Sequence, residues 1–191
     1  LNGSDYLFAV PVEDVSASNP EVSVEMKHAL ALVCMNFKKG ESYQRECKLS
    51  SISLQGDGIA ASGTLDATDG TITADAAEFV ASGFEHSFSS PLSEKLLVIP
   101  AVVSSQKQTV KIVCTIDGDS KTVTFQSGNG LIVKQGVKFT VDITVNGNGL
   151  GINGISITDW NGNTVVESGL VKDGLVITGA ESGEYGGKIE F

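Results

Sequence analysis

Two histidines, three cysteines and one Asp-Gly-Asp-Ser run are the residues of this 191-residue chain best suited to chemistry. Proton transfer near neutral pH would have to use His28 or His86, the two imidazoles present. His28 shares a spacing of two with Met26 and Leu30, which puts all three on one face of a strand, so it reads as a partly buried structural residue. His86 lies in the polar stretch 85–90, Glu-His-Ser-Phe-Ser-Ser, and reads as part of an exposed loop or edge strand. Neither a Gly-x-Ser-x-Gly elbow nor a His-Glu-x-x-His helix is present. The 23 acidic residues would allow a two-carboxylate glycosidase site, but no pair is marked out by its neighbours. No catalytic, cofactor-binding or metal-ligating residue is therefore assigned.

Cys34, Cys47 and Cys114 lack the close spacing that structural zinc sites use. Cys114 falls on a core-facing position and reads as a small hydrophobe. Cys34 and Cys47 flank the turn-like Lys39-Gly40-Glu41-Ser42. That arrangement would let them face each other across adjacent strands, where an exported protein can form a disulfide. Asp117-Gly118-Asp119-Ser120 resembles the opening of a calcium loop, yet the twelfth position holds Gly128 where a bidentate Glu is needed, so it reads as a plain turn. A sugar platform needs exposed aromatic faces; Trp160, Tyr6, Tyr43 and Tyr185 do not assemble into one from sequence alone.

The elements that would position these residues are strands. Val137, Phe139, Val141, Ile143 and Val145 alternate with Lys138, Thr140, Asp142 and Thr144, a period of two with one face on a core. Asn146-Gly147-Asn148-Gly149 offers residues that tolerate positive φ, and 150–160 then returns, with a bulge at Asn153-Gly154. Val110, Ile112, Cys114 and Ile116 alternate likewise and join Val123 and Phe125 through 117–120, a hairpin. Residues 29–35 are apolar on both faces, which marks a central or covered strand. Strands are expected near 22–37, 48–55, 58–65, 95–103, 108–117, 121–126, 131–133, 137–145, 150–160, 163–171 and 174–179. Residues 74–80 form the single helix candidate, a turn or two at most. Many short strands divided by Asx-Gly turns imply an all-β fold, an antiparallel β-sandwich with little helix.

Composition bounds the rest. A formal charge of −10 argues against sequence-independent binding to nucleic acid or anionic lipid. No run of eighteen apolar residues would span a membrane as a helix. Hydrophobic residues make up 41% of the chain, enough for a core, so disorder is not expected.

Several stretches, taken in order, resemble one family. Gly136, Phe139, Ile143 and Val145, followed by Ile155, Ile157, Trp160 and Gly162, are similar to the C-terminal half of the fimbrillin-like proteins of Bacteroidales (Mfa/FimA type). The strand at 24–31, Val-Glu-Met-Lys-His-Ala-Leu-Ala, is similar to another family segment, with weaker matches at 5–9 and 96–100. The resemblance implies a transthyretin-like, Greek-key sandwich acting as a structural or adhesive subunit of a surface fimbria. It further implies export to the cell surface or outer membrane, with any lipid anchor upstream of Leu1. Implied partners are other fimbrial subunits or a second copy, joined by strand addition, and a host or bacterial surface ligand. No enzymatic activity and no cofactor is expected. The alternative is an exported carbohydrate-binding β-sandwich module.

The expected organisation is a lead segment at 1–20, a sandwich domain at 21–162, and a hairpin and tail at 163–191. The expected core contains Met26, Leu30, Ile52, Leu54, Val98, Ile112, Cys114, Ile116, Phe125, Phe139, Val141, Ile143 and Ile157. In the tail, Asp173-Gly174 signals a tight hairpin. The preferred reading has it complete its own sheet; the rival has the last strand serve as a donor to a neighbouring subunit.

Overall fold

Alternation over 137–145 acts as a period of two requires. Val137, Phe139, Val141, Ile143 and Val145 are buried, while the residues between them are half-buried or exposed. The same logic repeats along the chain. The computed structural model describes residues 4–12, 16–18, 21–76, 79–88, 90–100, 108–127, 133–160, 170–172 and 175–177. Its strands are β1 (Leu7–Phe8), β2 (Lys27–His28), β3 (Ala31–Lys39), β4 (Lys48–Gly56), β5 (Ile59–Leu65), β6 (Ile72–Ala76) and β7 (Phe79–Ser87). They continue with β8 (Leu92–Pro100), β9 (Thr109–Ile116), β10 (Asp119–Ser127), β11 (Val137–Asn146), β12 (Gly149–Asp159), β13 (Leu170–Lys172) and β14 (Leu175–Ile177). Among the described residues there is no helix.

Two six-stranded sheets carry the fold. One has the order β12-β11-β3-β8-β5-β6 and the other β14-β13-β10-β9-β4-β7, while β1 and β2 form a small sheet of their own. Apolar stripes from both large sheets meet in a single core. Met35, Phe37, Phe139 and Leu96 come from the first; Leu49, Ile52, Leu54, Ile112 and Phe125 come from the second. Phe125 meets Phe139 edge to face at 5.7 Å, a favoured ring arrangement that ties one sheet to the other. All-β architecture is thus established, and all but one of the expected core residues are buried.

Turn chemistry sets the hairpin registers. Asp117 and Gly118 have φ of 51° and 84°, both in the left-handed region, and join β9 to β10 as a two-residue turn. In the β11–β12 pair Asp142 lies opposite Gly154 but Ile143 opposite Ile152, so Asn153 is the extra residue of a bulge at the expected place. Not every pair is antiparallel. β3 runs parallel to β11, with Val33 opposite Phe139, and antiparallel to β8 on its other side. That central position explains the doubly apolar composition of 29–35.

Three expectations are corrected, and the open question of a Cys34–Cys47 bond is answered. Met26 is 53% exposed, because the expected strand 22–37 is interrupted at Ala29 and Leu30: β2 pairs with β1 in the separate small sheet, and only β3 enters the sandwich. Of the helix candidate 74–80, residues 74–76 end β6 and 79–80 start β7, while 77–78 lie outside the described residues; pairing of β6 with β5 and of β7 with β4 overrides a helix too short to nucleate alone. Cys34 and Cys47 are not bonded to each other and all three thiols are free. Cys34 sits on the outer face of β3 between the core-facing Val33 and Met35, whereas Cys47 is in the core, so the sheet itself separates them. Val133 is buried but lies in a bend, so the expected strand at 131–133 is not formed there; 131–132 fall outside the described residues.

At the C-terminal end β13 pairs antiparallel with β10, and β14 with β13, extending the chain's own second sheet. Asp173-Gly174, most of the expected strand 163–171 and the tail from 178 onward lie outside the described residues.

Phe139 is 1% exposed and touches both sheets, so Phe139→Ala should cost about 3–5 kcal/mol as a large-to-small core change. Urea unfolding measures it; a loss well under 1 kcal/mol would mean that this face is not the core.

Candidate interaction surfaces

Each residue singled out for chemistry is engaged in holding the structure together. His28, half-buried in β2, stacks on Trp160 with ring centroids 3.8 Å apart and planes 14° apart, and its Nδ1 lies 2.7 Å from the Asp5 carboxylate. Ala29 N–H donates to Tyr6 C=O at 2.8 Å beside it. Phe8 is buried against Gly70, whose φ of 82° and missing Cβ leave room for the ring. Together these contacts pin the N-terminal segment to the end of the sandwich. His86 is exposed on β7, with Nδ1 2.6 Å from Oε1 of Glu94 on β8, so it bridges the rims of the two sheets. The two imidazoles therefore occupy different strands with different partners, and the described structure does not bring them together.

Asp117 fastens several backbone and side-chain groups among the described residues. Its Oδ1 accepts from Lys48 N–H at 2.8 Å, and its Oδ2 from Cys47 N–H at 2.9 Å and from the Tyr43 hydroxyl at 2.7 Å. Its own N–H donates to Lys48 C=O at 2.8 Å, and Arg45 donates both to its carbonyl and to the Asp119 carboxylate. Burial opposes ionisation of Asp117, but hydrogen bonds from Lys48, Tyr43 and Cys47 and the Arg45 charge outweigh it and hold the carboxyl below its usual range. Burial, with help from Asp117, pushes the Tyr43 hydroxyl up to about 12. Cys47, at a φ of 70° unusual for a residue with a side chain, is fixed by the same carboxylate. The calcium-loop resemblance at 117–120 thus resolves into a structural clasp between the turns at one end of the sandwich. Nothing in the local sequence announces it, because Tyr43 and Asp117 lie 74 residues apart.

The three thiols are likewise buried. Burial raises Cys114 to about 12 and Cys47 to about 11, and raises Cys34 despite Lys138, Lys95 and a hydrogen bond with Thr140. Among the described residues no group of three or more His, Cys, Asp or Glu is placed to hold a metal ion.

What the molecule offers instead is surface. The outer face of the first sheet carries a polar row in which Ser93 Oγ donates to Asn36 Oδ1 at 2.9 Å and Asn36 Nδ2 to Asp142 Oδ1 at 2.7 Å. A groove of about 540 Å³ runs between the N-terminal segment and β5, β6 and β8, with Tyr6, Ser62 and Thr64 among its lining residues. Large apolar side chains left exposed among the described residues fall between Tyr6 and Met26, a concentration that the sequence pattern had assigned in part to the core. No helix among the described residues is long and apolar enough to cross a membrane.

Known proteins supply the remaining comparison. A sequence profile described as fimbrillin-like matches residues 1–160. No curated protein matches. Among solved structures, a candidate cell adhesion protein from Bacteroides ovatus superposes with a TM-score of 0.52 at 14% identity, over 77% of this chain and 49% of that one. Another, from Bacteroides uniformis, is 16% identical over 83% of this chain and 67% of its own, with a TM-score of 0.46. This chain thus spans about half the length of the Bacteroides ovatus protein, and the likeness to it is one of fold.

Asp117→Asn keeps a residue that accepts positive φ but removes one acceptor oxygen, so it should destabilise by about 2–3 kcal/mol at pH 7. The folded-state pKa is depressed, so this stabilisation is present above the unfolded carboxyl's pKa of about 3.9 and fades as pH falls through the lower folded value. Urea midpoints of wild type and variant should therefore converge at low pH; a gap that stayed constant down to pH 2 would show that the charge contributes nothing.

Proposed function

The chain belongs to the fimbrillin-like family, and from that premise we propose that it is an adhesive, fimbria-type subunit exposed at the bacterial surface. The single observation that supports a working surface over a reacting centre is the engagement of every candidate catalytic side chain in structural contacts. His28, His86, Asp117 and the three thiols each have a packing or clasping role. Adhesion and assembly need what such a fold supplies at low cost, namely rigid sheet faces and edges. β6 and β12 end the first sheet, and β7 and β14 end the second, among the described residues. An incoming extended segment can add to such an edge, its backbone hydrogen bonds supplying affinity and alternate side chains supplying register. Assembly through strand addition, to other subunits or to like ones, belongs to this proposal, as do export and a surface anchor outside the sandwich.

A carbohydrate-binding reading keeps one observation in its favour. Tyr6 is 59% exposed at the lip of the groove that Ser62 and Thr64 also line, an aromatic face beside hydroxyls. A glycan array read with the full chain and with Tyr6→Ala separates the two. Saturable glycan binding lost in the variant favours the module reading, and its absence favours the subunit.

Immunogold labelling of intact cells tests the leading reading. Surface label on filaments, together with lower attachment of cells lacking the gene, is the expected result. Label that appears only after the outer membrane is permeabilised would overturn it.

A further inference from the structure

Residues 21–28, Glu-Val-Ser-Val-Glu-Met-Lys-His, have the alternation of a half-buried strand without the burial. Val22, Val24 and Met26 are 45%, 51% and 53% exposed, and residues 21–26 belong to no sheet. A period-two apolar stripe in water is a strand face lacking its cover.

Backbone direction on this segment can be read from its anchored end. In an antiparallel ladder successive residues turn their N–H and C=O groups to opposite edges. Ala29 N–H donates to Tyr6 C=O, and Phe8 lies opposite Lys27. Odd-numbered residues of an extended 21–29 therefore face β1. In that conformation Val22, Val24 and Met26 direct their backbone groups to the other edge, where no backbone hydrogen bond is made among the described residues.

We infer that this open edge pairs antiparallel with the same edge of a second copy of this chain, about a two-fold axis through Val24. In that register Val24 lies opposite itself and Val22 opposite Met26, joining the apolar stripes on the face that carries His28. On the other face Ser23 lies opposite Glu25, and Glu21 opposite Lys27, twice by symmetry. Charge selects this register over its neighbours. An axis through Ser23 sets Glu21 against Glu25, and one through Glu25 sets that carboxylate against itself; like charges directly opposite destabilise a pair. The product is a four-stranded sheet of two β1–β2 segments. It is an isologous contact that closes at two copies, unlike head-to-tail strand addition. It stands independently of the proposed function.

A ladder this short makes a weak dimer, with a dissociation constant on the order of 10–100 μM. Sedimentation equilibrium of the full chain at low salt should show monomer and dimer in that range. Lys27→Glu, which sets a second carboxylate against Glu21 at each end, should weaken dimerisation by about tenfold, and the double swap Glu21→Lys with Lys27→Glu should restore it. All these positions are exposed, and recovery in the double variant separates lost pairing from lost folding. A chain monomeric to about 500 μM, a dimer indifferent to Lys27→Glu, or a double swap that fails to restore it would each overturn the inference.

Discussion

The seam between β3 and β11 is the constraint on which the rest of the structure depends. It is a parallel pair, Val33 opposite Phe139, joined across a sequence separation of more than a hundred residues. Parallel neighbours cannot be linked by a tight turn. The intervening chain instead builds β4, β7, β9 and β10 of the opposite sheet and β5, β6 and β8 of the same one before returning. The seam is therefore satisfied only once the second sheet exists to cover it, and the apolar stripes of β3 and β11 have somewhere to bury only in that state. Contacts this distant in sequence close slowly, and the fold should be correspondingly slow to form.

What was legible in the sequence was local. The β11–β12 hairpin, its bulge at Asn153 and the Asp117-Gly118 turn each rest on a few adjacent residues whose conformational preferences suffice to set them. Burial of Ile52, Ile112, Phe125 and Phe139 followed from alternation alone. Non-local features were not legible. Residues 74–80 carry helix-compatible composition, yet 74–76 and 79–80 become strand because β5 and β4 offer edges to pair with. Tyr43 sits in a polar stretch and yet is buried, since its hydroxyl finds a carboxylate 74 residues away. Met26 has the periodicity of a core residue; the interruption at Ala29 and Leu30, which local patterning does not reveal, leaves it outside.

The same division runs through function. The residues that looked chemical by type are held at strand ends and turns, where they fasten one segment to another: His28 to Trp160 and Asp5, His86 to Glu94, Asp117 to Tyr43, Cys47 and Lys48. Their work is to make a stiff body. Stiffness is what the proposed surface role would need, because affinity on a flat sheet face or an edge is lost if the partner strand must first be ordered along with its receptor. The exposed segment before β3 lies outside both large sheets, an apolar stripe presented outward from an anchored root.

Hydrogen exchange on the dilute full-length chain tests this account of a rigid body with a free arm most directly. Amides of β3 and β11 should exchange only through global unfolding, while those of residues 21–26 should exchange nearly as fast as in an unstructured peptide. Protection of 21–26 in the monomer, or opening of the β3–β11 seam before the sheet edges, would contradict it.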